Sequence, residues 1–369
     1  VGVISCRNLW VPTLSQKRFA HDLVIRQRTG KPVVKYGAEG RSSVSGHIAT
    51  VFGCTGFLGR YIVSKLARQG TQIIVPYRDE DSKRHLKVCG DLGQVVSMEF
   101  DLRNEKNIEE AVRHSDIVYN LIGRDHETRN FTFEQVHVEG AARIAKISRE
   151  ADVARFVHVS ALNADKNSPS KFFRSKALGE IAVKKEFPEA TIVRPSTMYG
   201  HEDRFLTRYA ETKYEYILNY GQTKVRPVHV LDVAQALERM LKDESTTGET
   251  YELFGPREFT YEEVYDLIRD LTENRRYRFY IPKPLALAVT KAFNLPFLLT
   301  ISPENIERSF ISDKITPGAK TFEDLGIRPL GLEMNSLGIV RRFRSSKVYD
   351  RPLEKGLALE KSDVGDDIF

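Results

Sequence analysis

The sequence predicts a doubly wound α/β fold, a Rossmann-type parallel sheet followed by a smaller, discontinuous C-terminal lobe. Three observations carry this reading. Short apolar runs alternate with helix-period segments from residue 48 to about 200, as a parallel sheet with crossover helices requires. A glycine-rich loop, Gly53-Cys54-Thr55-Gly56-Phe57-Leu58-Gly59, stands between the first apolar run and the first helical segment. The 369 residues are 41% hydrophobic and 29% charged, within the ordinary globular range.

Each element follows from that alternation. Uninterrupted apolar runs bounded by turn residues place strands at Ile48–Phe52, Gln72–Pro76, Val95–Phe100, Ile117–Leu121, Phe156–Ser160 and Ala190–Arg194. Apolar residues recurring at helical spacing place helices near Leu58–Gln69, Lys106–His114, Phe133–Ala151 and Phe173–Glu186. Beyond Pro195 the pattern turns Tyr-rich and charged, until Val225–Val230 returns as a strand and Asp232–Lys242 as a helix. Tyr261–Thr272 reads as a further helix, and the last forty residues show little periodicity. The expected organisation is therefore a basic N-terminal arm (1–47) and a nucleotide-binding core (48–200). A discontinuous second lobe (201–330) follows, with 225–255 returning to the core, and then a C-terminal extension (331–369).

The net charge of +6 is unevenly placed, because residues 1–47 hold eight Lys/Arg against Asp22 and Glu39 and the rest of the chain is neutral overall. The chain begins without Met, and its Arg-rich, acid-poor, Ser-containing start resembles what lies at or just after an organellar transit peptide. A flexible basic arm is the other reading. Cys6, Cys54 and Cys89 form no Cys-x-x-Cys pair, which argues against a disulfide framework or thiolate metal site and for a reducing compartment. The nine histidines show no ligand spacing, so no metal is expected; His137, His158 and His229 read as core histidines. The most apolar stretch, Ile281 to Ile301, is broken by two lysines and three prolines and reads as amphipathic or partly buried rather than transmembrane.

A glycine loop between strand and helix lets backbone approach a pyrophosphate, and the helix N-terminus offers free N–H groups and partial positive charge. Gly53, Thr55, Gly56, Phe57, Leu58 and Gly59 are therefore candidate cofactor contacts. The end of the second strand selects the cofactor, since an acid there accepts from a ribose 2′-hydroxyl whereas an arginine pairs with a 2′-phosphate. Arg78 argues for NADPH. Asp79, Glu80 and Asp81 follow at once and would reverse the preference if one turned inward. Asp101 and Leu102 are suited to the adenine side, and Leu121, Ile122 and Gly123 to backbone running along a ribose.

Downstream, Phe172-Phe173-Arg174-Ser175-Lys176 is a Tyr-x-x-x-Lys frame with phenylalanine in the tyrosine's place. With the strand Phe156–Ser160, Val193-Arg194-Pro195 and Pro227-Val228-His229-Val230-Leu231-Asp232, the motif order resembles the extended and atypical branches of the short-chain dehydrogenase/reductase superfamily over roughly residues 48 to 270. That resemblance implies Lys176, Ser160 and Pro195 beside the cofactor, and a tyrosine acting as proton donor. Phe172 has no proton to give, Ser160 sits in a poorly matched serine position, and the site reads as degenerate with no catalytic residue. Two other such strings, Tyr61–Lys65 and Tyr209–Lys213, read as incidental, and rescue by Tyr199 or His201 lacks any spacing rule to support it.

Gly40–Gly46, Thr55–Tyr61 and Gly200–Leu206 carry a narrower likeness, to the nucleotide-binding accessory subunits of mitochondrial complex I, the alpha-subcomplex subunit nine family of NADH:ubiquinone oxidoreductase. The resemblance implies a peripheral, matrix-side subunit at the inner membrane that holds NADPH without turnover. It also implies support of assembly or stability near the quinone-site region, with other complex I subunits as partners rather than a stand-alone homo-oligomer. Contact with a membrane surface fits the charge and the amphipathic segment. An active NADP(H)-dependent reductase or epimerase and a cofactor-sensing module stay open as alternatives. Nucleic acid is not expected: basic clusters at Arg275–Phe279 and Arg341–Arg344 come without a reading motif.

Overall fold

A computed structural model describes residues 22–25, 32–37, 40–274, 276–292, 303–346 and 349. Most of the basic arm, residues 293–302 of the amphipathic stretch and the end of the C-terminal extension lie outside these residues.

Strands β1 (Asp22–Ile25) and β2 (Pro32–Lys35) form an antiparallel ribbon. The chain then makes β3 (Ile48–Phe52), α1 (Phe57–Arg68), β4 (Gln72–Tyr77) and β5 (Val95–Glu99), moving in one direction across the main sheet. After α2 (Glu105–Val112), β6 (Ile117–Asn120) pairs on the other side of β3. The course continues outward through α3 (Gly140–Glu150), β7 (Arg155–Val159), α4 (Lys171–Glu186) and β8 (Thr191–Pro195). An excursion through β9 (Met198–Tyr199), α5 (Leu206–Glu211), β10 (Tyr214–Leu218), β11 (Lys224–Val225), β12 (Val228–His229) and α6 (Val230–Lys242) precedes β13 (Thr250–Leu253), which closes the far edge beside β8. The sheet runs β13-β8-β7-β6-β3-β4-β5, parallel throughout. Travel reverses between β3 and β6, so the connections at their C-terminal ends part and open a crevice there.

Alternation along each strand feeds two cores. Val51 faces a cluster with Ile62 and Leu66 of α1 and Leu237 and Met240 of α6, while Phe52 faces Ile108 of α2 and Ile144 of α3. Burial on both faces is why these strands read as continuous apolar runs.

The second lobe has its own core. Phe205, just before α5, and Leu206 of α5 pack with Val264 and Ile268 of α7 (Tyr261–Thr272) and with Ile339 and Val340 of α10 (Leu332–Val340). Thr260, at the end of β14 (Phe259–Thr260), and Glu263 cap α7 reciprocally. β15 (Tyr277–Ile281) pairs in parallel with β10, followed by α8 (Lys283–Ala292) and α9 (Pro303–Ser309). Arg278 spends its charge on Glu215 at 2.8 Å and Asp266 at 2.6 Å, so part of the basic cluster is internal stitching.

Three local readings differ from the sequence expectation. The strand read at Val225–Val230 is two short pieces, β11 and β12, because Pro227 between them cannot donate to a ladder. The helix read at Phe133–Ala151 opens with a π turn at Gln135–Glu139 before α3 begins. And the extension contains α10, whose apolar residues are spread round the helix instead of forming a stripe. Among the described residues no helix is long and apolar enough to cross a membrane.

Candidate functional site

Gly53 ends β3 with a φ of +81°, and a Cβ there would press on the Leu121 backbone carbon at 3.0 Å. The loop is thus locked to the end of β6, at the point where the sheet reverses. Gly56 is the N-cap of α1, with no side-chain cap and no acid in the first turn, so the helix start presents backbone N–H groups.

At the end of β4 the acids have partners close by in sequence. Asp79 accepts from the Ser82 N–H at 3.2 Å, Glu80 pairs with Lys83 at 3.0 Å, and Asp81 pairs with Arg84 at 2.8 Å. The three acids are absorbed by the short 3₁₀ segment that follows. Arg78 is exposed and has no carboxylate partner among the described residues. Arg124, at the end of β6, is bonded to Thr128 at 3.0 Å, and its pKa is lowered first by burial and then by the nearby charge of Arg78. Two cations therefore stand near each other at the ends of β4 and β6.

Next along the edge, Asp101 accepts the Arg103 N–H at 2.9 Å, while Leu102, Arg103, Phe131, Gln135, Glu139 and Arg143 line a hollow of about 70 Å³. Arg103 stacks 4.3 Å over the Phe131 ring. At β6, Asn120 accepts from the Ile122 N–H at 3.2 Å and donates to His158 Nδ1 at 3.2 Å. Leu121 and Ile122 are half-buried beside Gly53. A Cβ on Gly123 would lie 3.3 Å from the Lys176 ammonium, so the two meet across the crevice.

Lys176 is buried and donates to the Val159 carbonyl at 3.2 Å; desolvation lowers its pKa to about 8, against which Glu180 and Asp125 act. His137, in the π turn, accepts the Arg124 N–H at 3.1 Å on Nε2, which leaves Nδ1 to donate to Ser175 Oγ at 2.8 Å. Ser175 in turn donates to the Phe172 carbonyl at 2.8 Å. Burial, with Lys176 next, holds both histidines neutral, His137 near pKa 2 and His158 near 3. Ser160 Oγ and His158 Nε2 are buried without a partner among the described residues. Pro195, buried at the end of β8, accepts from the Leu162 N–H at 3.0 Å.

Phe172 is nearly buried. Its ring meets His137 edge-on at 5.4 Å and Phe133 at 6.0 Å, and the Arg308 guanidinium lies 4.3 Å over it. Arg308 also pairs with Asp125 at 3.6 Å, and Asp125 pairs with Arg204 at 3.1 Å. Glu304, one turn earlier on α9, accepts from Ser170 Oγ and from the Phe172 N–H, the latter at 2.9 Å. Sequence reasoning missed Glu304, Arg308 and Asp125. No local signal marks them, since more than a hundred residues separate Phe172 from α9.

The decoys resolve cleanly. Tyr209 lies on α5, which ends before Lys213, and Tyr61 packs edge-on against Phe57 at 5.7 Å on α1. The Tyr199 hydroxyl donates to the Leu330 carbonyl at 3.2 Å, away from Phe172.

The parallel sheet, the glycine loop after its first strand and the buried lysine of α4 place the chain in the epimerase and dehydratase class. The family described as the NAD dependent epimerase/dehydratase family matches residues 49–253. A solved structure of MoeE5 in complex with UDP-glucose and NAD superposes with a TM-score of 0.62 at 16% identity, covering 80% of this chain and 99% of that one. The NADH-ubiquinone oxidoreductase 40 kDa subunit, mitochondrial, of Neurospora crassa is 51% identical over 341 residues, 91% of this chain and 90% of that protein. NADH dehydrogenase [ubiquinone] 1 alpha subcomplex subunit 9, mitochondrial, of Mus musculus is 43% identical over 333 residues, 88% of this chain and 87% of that protein. The chain belongs to this family of mitochondrial complex I subunits, the 40 kDa or alpha subcomplex subunit 9 branch of the epimerase/dehydratase fold.

Proposed function

We propose that this chain is a non-catalytic accessory subunit that binds NADPH and supports assembly or stability of the peripheral arm of complex I. Its place in this reading is the matrix side of the inner membrane, against other complex I subunits near the quinone-site region. The observation that carries it is Phe172: the position that would give or take a proton holds a hydrocarbon ring, with Arg308 stacked on it. Losing a general acid typically forfeits about 10²–10⁴ in rate.

The residues that would hold the nucleotide fit it. Gly53, Thr55, Gly56, Phe57, Leu58 and Gly59 cradle a pyrophosphate against the start of α1, and Arg78, relieved of its neighbouring acids, is free for a 2′-phosphate. Asp101 and Leu102 stand at the adenine side. Leu121, Ile122, Gly123, Lys176 and Pro195 border the nicotinamide side, where the unpartnered Ser160 Oγ and His158 Nε2 call for a polar ligand. The nicotinamide group supplies hydride chemistry when bound; the chain's own residues bind and orient it and offer no acid to complete a transfer.

The test is to purify the complex natively, identify the retained nucleotide, and follow its oxidation over many minutes. Retained NADPH that stays reduced supports the proposal. Sustained oxidation, or a retained nucleotide of another kind, would overturn it.

A further inference from the structure

The crevice at the C-terminal edge of a doubly wound sheet has two halves. One, at β3 and β4, belongs to the glycine loop and Arg78. The other lies beyond β7 and β8, where Ser160 and Phe172 stand and where a second reactant would meet the nicotinamide. Residues 303–316 cross this second half.

The crossing is heavily bonded. Asp313 accepts from Asn163 at 2.9 Å and Ser196 at 2.6 Å, and from the Arg226 N–H at 2.9 Å, so it ties the loops after β7 and β8 to the lobe. The Lys314 N–H donates back to Asn163 at 2.9 Å, and the Thr316 N–H and hydroxyl donate to Glu252 of β13 at 2.9 and 2.7 Å. Upstream, the Ser309 carbonyl accepts from Thr223 at 2.8 Å. At the deep end Glu304 accepts from the Phe172 N–H of α4 and from the Ser170 hydroxyl, and Arg308 covers Phe172 while pairing with Asp125, two residues past Gly123.

We infer that residues 303–316 are a built-in occupant of the second-reactant half of the crevice, and that the Arg308–Asp125 pair is the latch closing it over Lys176 and the nicotinamide end. The site thereby takes one ligand, a dinucleotide, and has no room for a second. Phe172 is only part of the loss of chemistry; a restored tyrosine would still face Arg308 and not a reactant. This rests on the dinucleotide reading above for the identity of the ligand, but the closure itself belongs to the chain.

The experiment uses the full chain and reads closure without any nucleotide. Acylation of the Lys176 amine by acetic anhydride is followed by mass spectrometry in the wild type, Arg308→Ala and Asp125→Asn. Rates are taken across the amine's titration and compared for the deprotonated amine, because Asp125 also acts on the Lys176 pKa. Lys176 is expected to react slowly in the wild type and about tenfold faster in both variants, the opening of one cation–π and ion-pair latch. Unchanged labelling in variants that keep their melting transition would overturn the inference. Because Arg308→Ala also uncovers Phe172 at a cost in stability, Asp125→Asn, on a half-exposed loop, gives the second reading. Acrylamide quenching of bound NADPH fluorescence is then measured on the same proteins. Stronger quenching in the variants supports the latch, and equal quenching counts against it. Failure of the protein to hold NADPH, with Lys176 labelling still accelerated, defeats the dinucleotide reading and leaves the closure standing.

Discussion

A Cβ on Gly59 would stand 2.3 Å from the carbonyl oxygen of Gly53, and that oxygen belongs to the backbone of the loop itself. The loop therefore cannot exist with any larger residue at 59. Gly59→Ala is expected to cost about 3 kcal/mol or more of stability, read as a lowered denaturation midpoint. At Gly56 a Cβ meets only Gly53 O, at 3.2 Å. Gly56→Ala should fold more nearly normally and, on the proposed reading of the loop as a pyrophosphate cradle, bind dinucleotide poorly. Equal melting of the two variants would contradict this division of labour.

In the proposed function Arg78 sets cofactor choice, a reading supported by its three acidic neighbours being occupied by Lys83, Arg84 and Ser82. Arg78→Asp is expected to weaken NADPH about 10–100-fold and NADH far less, measured by calorimetric titration. Equal weakening of both would remove the 2′-phosphate contact from the account.

His137 and His158 carry depressed pKa values of about 2 and about 3, both chiefly from burial. Their unfolded forms take protons at about pH 6.5, so stability is complete above that value and falls as pH drops toward 3. The slope is about 1.4 kcal/mol per pH unit for each histidine. His158→Gln should halve the acid slope in chemical denaturation at pH 4–6, and an unaltered slope would show that other groups dominate.

Phe172 contributes through its edge contacts with Phe133 and His137 and through Arg308. Phe172→Leu is expected to cost about 1–2 kcal/mol while leaving nucleotide binding largely intact. A large loss of binding with unchanged stability would instead give Phe172 a direct role at the ligand.

Much of this was legible in the chain. Ile48–Phe52 was read to the residue, because a strand buried on both faces is a continuous apolar run closed by a turn glycine. The glycine loop and the Phe172–Lys176 frame stand out in the sequence because their spacing is local. What was not legible depends on partners far along the sequence: the absorption of Asp79, Glu80 and Asp81, the π turn that aims His137 at Ser175, and the approach of α9 to Phe172. Pro227 shows the opposite case, a local signal that was visible and should have divided the strand read at Val225–Val230.

The bonds of Asp313 reach back 150 positions to Asn163 and 117 to Ser196. A chain made from its N-terminus has its glycine loop, its lysine and most of its sheet long before residue 313 emerges. Under the proposed closure, the crevice would stand open until that segment joins the fold. If the proposed closure holds, a truncated copy ending before residue 303 would keep the glycine loop but lack the cover, and slow nucleotide release would distinguish a finished molecule from an unfinished one.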